Sequence, residues 1–296
     1  MLVGIPGSGK STLAETYRRK GYRVHASDAI RAELYGSEET QGNAAEVFDV
    51  LLHRTRDDLR AGFSCVMDAS NIRRKYRMGL LGGVSRLAQK KTCVMTLASP
   101  KTCFGRNARR ARTVPPEAID QMLRAFETPW YSEGWDAVEA VFTGEPYSFP
   151  RDEARDFCQD NPHHSLTLGA HMDAARDYCL AHGFPAAVRE AAWYHDIGKL
   201  YTKRFENRRG ERTEIAHFYG HENYGAYLYL CQMAPAARED AAWRETLYVA
   251  NLINWHMRLL NAWPKSPARE ARERRLMGER MCADVERLHQ ADLAAH

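Results

Sequence analysis

Two groups of residues in this chain have the types and spacings of phosphate chemistry. Gly4 to Ser11 reads GIPGSGKS, a complete G-x-x-x-x-G-K-S loop. Gly4, Gly7 and Gly9 let the backbone curl so that its N–H groups face phosphate oxygens. The helix that follows adds the positive end of its dipole. Lys10 is expected to neutralise the β and γ oxygens of ATP, and Ser11 to offer a hydroxyl to Mg²⁺. Ser8 and Thr12 belong to the same phosphate-binding stretch. The second group is YHDIGK at Tyr194–Lys199, flanked by further histidines. His171, His195, Asp196, His221, His256 and Asp292 follow the order H…HD…H…H…D. Mixed imidazole and carboxylate ligands suit Mn, Fe, Co, Ni or Zn better than Mg. Two such ions about 4 Å apart clamp a phosphate and generate hydroxide between them, with Asp196 as the natural bridging ligand. Without His221 and His256 the site holds one ion, and His163, His164 and His217 are nearby alternatives. Lys199 is placed to neutralise a substrate phosphate, although Gly198 is expected to break the helix between it and Asp196.

Further residues extend the first group. Ser64–Asp68 is an apolar run ending in an acid, and Asp68 could hold magnesium through water; a cap at a helix start is its plainer reading. Asn71, in DASN, carries a weaker signal. Asp28, in SDAIR, is expected at the C-terminal end of a strand, where doubly wound sheets keep their ligands. An acid there can take the proton from an attacking hydroxyl. Arg31, one turn on, could grip a substrate phosphate through two parallel hydrogen bonds. Arg106 and Arg110, four apart in RNARRAR, are expected to share a helix face that closes over ATP and stabilises charge on the transferring phosphoryl.

The elements that must position these groups fall into two kinds. Short β-rich runs at Met1–Gly4, Tyr22–Ala26, Ser64–Asp68, Thr92–Leu97 and Ala137–Phe142 alternate with helical patterns at Lys10–Lys20, Asn43–Ala61 and Tyr76–Gln89. Two more helices are expected between Thr102 and Glu127. This alternation implies an α/β domain with a parallel sheet flanked by helices. Gly144–Pro150 (GEPYSFP) carries breakers and no periodicity, which places a boundary between domains at 1–146 and 147–296. Beyond it, Leu166–Ala181, Ala186–Asp196, Tyr224–Met233, Trp243–Met257 and Glu279–Ala294 read as amphipathic helices. Lys203–Arg212 reads as a charged loop, so the second domain is expected to be all-α.

The chain has 296 residues, enough for two ordinary cores. Its net charge of +4 is compatible with a polyanionic substrate without demanding one. The seven cysteines lack any C-x-x-C pair and read as reduced thiols of a cytoplasmic protein. No apolar run approaches the length of a membrane span. The first strand begins at Met1 itself, so either it is unusually short or the natural start lies upstream.

GIPGSGKST, SDAIR, VMDASN and RNARRARTVPP together resemble the bacteriophage and bacterial polynucleotide 5′-kinases over most of residues 1–143. That resemblance implies that Asp28 activates the 5′-hydroxyl and that Arg31 binds the phosphate next to the terminal nucleoside. It also implies that Arg106 and Arg110 hold ATP, with Arg109 or Arg112 as substitutes for Arg110 because the spacing before VPP is slightly off. Residues 160–296 resemble the HD phosphohydrolase superfamily. Enzymes that fuse the two, with the halves in the opposite order, heal broken nucleic-acid ends. The resemblance then implies ATP-dependent phosphorylation of 5′-OH ends and removal of 2′,3′-cyclic, 2′- or 3′-phosphates, with RNA favoured over DNA. No K-x-D-G ligase nucleophile is present, so sealing falls to a separate nucleic-acid ligase. Basic runs at Arg73–Arg77 and Arg106–Arg112 are candidate phosphate contacts. Two rival readings are a small-molecule or nucleoside kinase fused to an HD nucleotide phosphohydrolase, and a regulatory nucleotide-binding module in the second half.

Overall fold

A computed structural model describes residues 1–38, 40, 42–145, 147–162 and 165–295. The alternatives His163 and His164 lie outside the described residues, as does Pro146 in the boundary stretch. The chain forms two compact units, Met1–Ile119 with Pro129–Glu145, and Asp120–Thr128 with Pro146–His296. The partition differs from a single cut near residue 146 only at Asp120–Thr128. The reason is local: Arg124 donates hydrogen bonds to the carbonyls of Tyr201 (3.0 Å), Thr202 (3.1 Å) and Tyr219 (3.3 Å). Phe126 also packs edge-on against Tyr227.

Along the first unit run β1 (Leu2–Val3), α1 (Lys10–Arg19), β2 (Arg23–Ala26), α2 (Ser27–Tyr35), α3 (Ala44–Arg60), β3 (Cys65–Asp68), α4 (Arg74–Val84), β4 (Thr92–Leu97), α5 (Pro100–Ala108), the first part of α6 (Pro116–Arg124), whose residues from Asp120 on belong to the second unit, and β5 (Ala137–Phe142). Helix α2 has no counterpart among the helical patterns read from the sequence. All strand pairs are parallel: β2 with β3, and β1, β4 and β5 in that order. Gly4 N–H donates to the Ser70 carbonyl (3.0 Å) and Asn71 Nδ2 to the Leu2 carbonyl (2.8 Å), joining the end of β3 to β1. Asn71 thus has a structural task, at a φ of 48° that asparagine tolerates better than most residues. β4 is buried along nearly its whole length, as expected for a strand covered on both faces.

The basic run Arg73–Arg77 is split, with Arg73 and Lys75 exposed and Arg74 and Arg77 turned inward. Arg74 and Arg77 are buried, and Arg77 makes a two-point ion pair with the buried Glu133 at 2.6 and 2.7 Å. A guanidinium excluded from water must be matched by a carboxylate, so Glu133, also held by Trp135 Nε1 (3.1 Å), turns these arginines inward.

The second unit contains α7 (Arg151–Arg155), α8 (Leu168–Ala181), α9 (Ala186–Tyr194), α10 (Lys199–Thr202), β6 (Arg204–Glu206), β7 (Arg212–His217), α11 (His221–Met233), α12 (Asp240–Trp255), α13 (Arg258–Asn261) and α14 (Pro267–Ala294). Helices α8, α9, α12 and α14 pack against one another, and α11 packs on α12. Gly278 (φ 76°, ψ 167°) kinks α14, so the expected helix at Glu279–Ala294 is its second segment. The unit is helical but not all-α, because the supposed loop is an antiparallel hairpin of β6 and β7. Asn207 Oδ1 accepts from the N–H groups of Arg209 (2.8 Å) and Glu211 (3.1 Å) and closes its turn. The strands are short and rich in charge, which hid the period-two signal. Among the described residues no helix is long and apolar enough to cross a membrane.

Candidate active sites

The glycine-rich loop links β1 to α1. Gly7 takes φ +81°, and a Cβ there would lie 2.4 Å from the Cys103 carbonyl oxygen, so only glycine fits. Ser8 is buried, its hydroxyl donating to the Ile5 carbonyl (2.8 Å) and meeting Thr96 Oγ1 at 2.7 Å. Lys10 Nζ donates to the carbonyls of Gly4 (2.9 Å) and Ile5 (3.0 Å), which holds the ammonium at the mouth of the loop. Burial lowers the Lys10 pKa, and the nearby Asp68 and Asp28 oppose that shift. Asp68, at the end of β3, is itself raised by burial, with Lys10 opposing. These three charges therefore sense one another electrostatically around the loop. Ser11 and Thr12 are exposed in the first turn of α1.

Asp28 lies in the first turn of α2, directly beyond the C-terminal end of β2. Its carboxylate pairs with Arg31 (2.6 Å) and Arg112 (3.4 Å), and Arg112 also holds Glu38 (2.9 Å). Arg106 donates to the Gly7 carbonyl (3.3 Å) and to Thr143 Oγ1 (2.8 Å), and Thr143 in turn donates to the Ser8 carbonyl (2.8 Å). Arg106 and Arg110 do not share a helix face. Helix α5 stops at Ala108, because the Asn107 amide bonds both N–H and C=O of Val114 (2.9 and 2.8 Å) and ties residues 108–113 into a loop. Arg109 and Arg110 are exposed there. Thr143 is a supporting residue with no sequence signal, since it is simply the first residue after β5.

The second unit brings all six of its candidate ligands into one buried cage, each from a helix or a helix end. His171 comes from α8, His195 and Asp196 from the end of α9, His221 from the start of α11, His256 from the end of α12 and Asp292 from α14. They form two ligand groups, His171–His195–Asp196–Asp292 and Asp196–His221–His256, in each of which the ligand atoms lie within 4.8 Å of one another. Asp196 belongs to both. Its Oδ2 faces His171 (3.3 Å) and His195 (3.4 Å), and its Oδ1 faces His221 (3.1 Å) and His256 (3.7 Å). Asp292 Oδ1 completes the first group at 3.1 Å from His171 and 3.4 Å from His195.

The imidazoles are oriented for coordination. Each Nδ1 meets a main-chain carbonyl: Ala295 for His171 (3.0 Å), Ala192 for His195, Phe218 for His221 and Ile253 for His256 (2.7 Å each). A carbonyl only accepts, so Nδ1 carries a proton and Nε2 is directed into the cage. Facing Nε2 pairs lie 3.2 Å (His171–His195) and 3.3 Å (His221–His256) apart, close enough to share a proton or to coordinate one cation. The donor set fits transition metals, and these six residues would hold them. Although burial opposes it, Lys199 and His195 keep Asp196 well below the usual carboxylate range, and hydrogen bonds from His171 and His195 do the same for Asp292. Burial alone would lower His171, yet Asp196 and Asp292 raise it to about 10.

Lys199 is buried, 2.6 Å from Asp196 Oδ2 and 2.9 Å from Gln159 Oε1. The helix is interrupted at this point, as expected, since α9 ends at Tyr194 and α10 begins at Lys199 with Gly198 as its N-cap. That glycine keeps a right-handed helical conformation (φ −64°, ψ −17°), and a Cβ there would lie 2.1 Å from the His221 carbonyl oxygen. Gly198 thus permits close approach of the helix start that carries His221. His217 is not in the cage and stacks on Tyr219 instead. Two residues were missed in the sequence. Gln159 has no signal, but His289 lies three before Asp292 on α14, a same-face spacing; its pKa is lowered by burial and senses both Asp292 and His256.

A metal that binds the folded cage must stabilise it. Adding Mn²⁺, Co²⁺, Ni²⁺ or Zn²⁺ to chelator-treated protein at a hundredfold excess over Kd is expected to raise its stability by about 2.7 kcal/mol. Denaturant titration checks this, and a chelator should reverse the gain.

Residues 1–129 match a family model described as an AAA domain. The first unit is a P-loop kinase-like domain. The L-seryl-tRNA(Sec) kinase of Methanococcus maripaludis is 23% identical over 142 residues, covering 46% of this chain and 55% of that protein. A UPF0200 protein of Pyrococcus horikoshii is 29% identical over 140 residues, covering 42% of this chain and 73% of that protein. The chain thus spans about half the length of the first relative.

Proposed function

We propose that the chain is a bifunctional nucleic-acid end-healing enzyme. A kinase domain at 1–146 phosphorylates 5′-OH ends with ATP. An HD-type phosphoesterase domain at 147–296 removes 2′,3′-cyclic, 2′- or 3′-phosphates. The observation that carries this reading is the six-ligand cage bridged by Asp196, in a chain that also has a complete ATP-phosphate loop. Two opposed phosphate activities suit ends that must lose one phosphate and gain another. A cytoplasmic nucleic-acid ligase would then seal them.

In the kinase reaction Lys10 and the loop N–H groups hold the ATP phosphates, and Ser11 and Asp68 are the residues that would hold Mg²⁺, which would neutralise phosphate charge. Asp28 takes the proton of the 5′-hydroxyl as its oxygen attacks the γ-phosphorus and ADP leaves. Arg31, which pairs with Asp28 in the free protein, turns to the substrate's adjacent phosphate. Arg106 and Arg110 neutralise charge on the transferred group. In the second domain His171, His195, Asp196, His221, His256 and Asp292 would hold transition metals, which would supply hydroxide at neutral pH and polarise a phosphoryl oxygen. Asp196 and Asp292 hold the ligand set together, and Lys199 fixes Asp196 while neutralising charge beside it.

An RNA carrying 5′-OH and 2′,3′-cyclic phosphate ends, given ATP, Mg²⁺ and Mn²⁺, is expected to leave with a 5′-phosphate and a 3′-OH. Failure to label the 5′ end would remove the kinase assignment. A cyclic end untouched with every transition metal would remove the other. The likeness to a kinase named for a seryl-tRNA favours one second reading, phosphorylation of a different RNA-borne hydroxyl. Labelling of seryl-tRNA in preference to 5′-OH RNA would establish it.

A further inference from the structure

The hairpin β6–β7 has a charge pattern that the fold does not use. Arg204, Arg208, Arg209 and Arg212 fall within nine residues. None has a carboxylate at ion-pair distance among the described residues, although Glu206, Glu211 and Glu214 lie in the same hairpin. Elsewhere in the unit, arginines such as Arg155, Arg244, Arg274 and Arg287 are ion-paired. Arg204 stands directly opposite His217 in the strand register, which puts both side chains on one face. Arg204 Nε and His217 Nε2 are both shielded from solvent and lack a hydrogen-bond partner. Two neighbouring shielded nitrogens left unmatched are costly unless something accepts from them. On the same stretch His217 stacks on Tyr219 (5.2 Å, 9°), and Arg208 lies 5.0 Å over the Tyr219 ring. Phe205 is exposed nearby.

The hairpin leads directly into the cage along the chain. The residue after His217 is Phe218, whose carbonyl orients His221 (2.7 Å) and whose ring lies under Lys199 Nζ (5.3 Å). Arginines without carboxylate partners beside stacked planar rings are the features that hold a single nucleic-acid strand without reading its sequence. We infer that the β6–β7 hairpin is the docking track for the strand whose 3′ end enters the cage, with Arg204 and His217 gripping a backbone phosphate. The strand's identity rests on the phosphoesterase reading above, whereas the anion site rests on the hairpin itself. His217 must offer Nε2 as a donor to do this, which the tautomer with hydrogen on that nitrogen provides. Binding to Arg208, Arg209 and Arg212 is then additive charge along the backbone.

The test compares wild type with Arg204→Ala and with Arg208→Ala/Arg209→Ala, all loaded with Mn²⁺. Substrates are a mononucleoside 2′,3′-cyclic phosphate and a single-stranded RNA about ten nucleotides long with the same 3′ end. The RNA carries fluorescein on its 5′ end so that it is no kinase acceptor. The ratio of kcat/KM for RNA to that for the mononucleotide should fall about tenfold in either variant, the size of one charged hydrogen bond removed. The slope of log K against log salt for RNA binding, read by anisotropy, should shrink by about 0.7 for each phosphate the protein no longer neutralises. An unchanged ratio together with an unchanged slope overturns the hairpin's role. If wild type cleaves neither substrate, the phosphoesterase reading has failed, and the anisotropy slope alone decides for or against the hairpin.

Discussion

Asp28→Ala is expected to lower ATP-dependent phosphorylation of a 5′-OH end by roughly 10²–10⁴-fold, the range for losing a general base. The carboxylate lies at the end of β2, half-exposed and near enough to Lys10 for the two charges to interact. Removing it frees Arg31 and Arg112, but exposed ion pairs contribute little to folding, so thermal unfolding should barely move. ATP binding should also survive, because Lys10, Ser8 and Thr143 build the loop without Asp28. The measurement is single-turnover transfer of labelled phosphate alongside nucleotide affinity. Full transfer in the variant would take Asp28 out of the reaction. Loss of both transfer and nucleotide binding would instead make it part of the ATP site.

The second large effect is expected at Asp196. Asp196→Asn keeps the shape but removes the charge that faces both ligand groups. Metal content should fall to one equivalent or fewer, and phosphoesterase activity by more than about a hundredfold, since even a partner one step outside a metal's ligands is worth 10–100-fold. Asp196→Ala should do more harm, because the buried Lys199 would lose the carboxylate that lies 2.6 Å from its ammonium. Breaking a buried ion pair by removing one partner costs about 3–5 kcal/mol, which denaturant unfolding would register in the second unit. Kinase activity retained in Asp196→Asn serves as the control for folding of the first unit. Full metal content in that variant would show that the imidazoles alone hold the ions.

Much of the kinase-like unit was legible in the residues. The five strands are where alternating apolar runs placed them, because strand burial in a parallel sheet demands such runs whatever surrounds them. The loop was legible because its chemistry is local: Gly7 must take a positive φ, and Lys10 is only a few residues from the carbonyls it bonds. The order H…HD…H…H…D also singled out the residues that meet in the cage. Only the tertiary structure decided what lies far apart in sequence. Glu133 claims Arg77 across 56 residues, which turned part of a basic run into core. Gln159 reaches Lys199 across 40, and Thr143 supports Ser8 across 135. The hairpin escaped notice because its strands are short and charged, and its turn depends on one asparagine side chain. Local geometry is written in neighbouring residue types. Partners brought together by packing leave no periodic trace, so the cage's orientation, the lysine beside it and the unmatched face of the hairpin emerge only once the helices have packed.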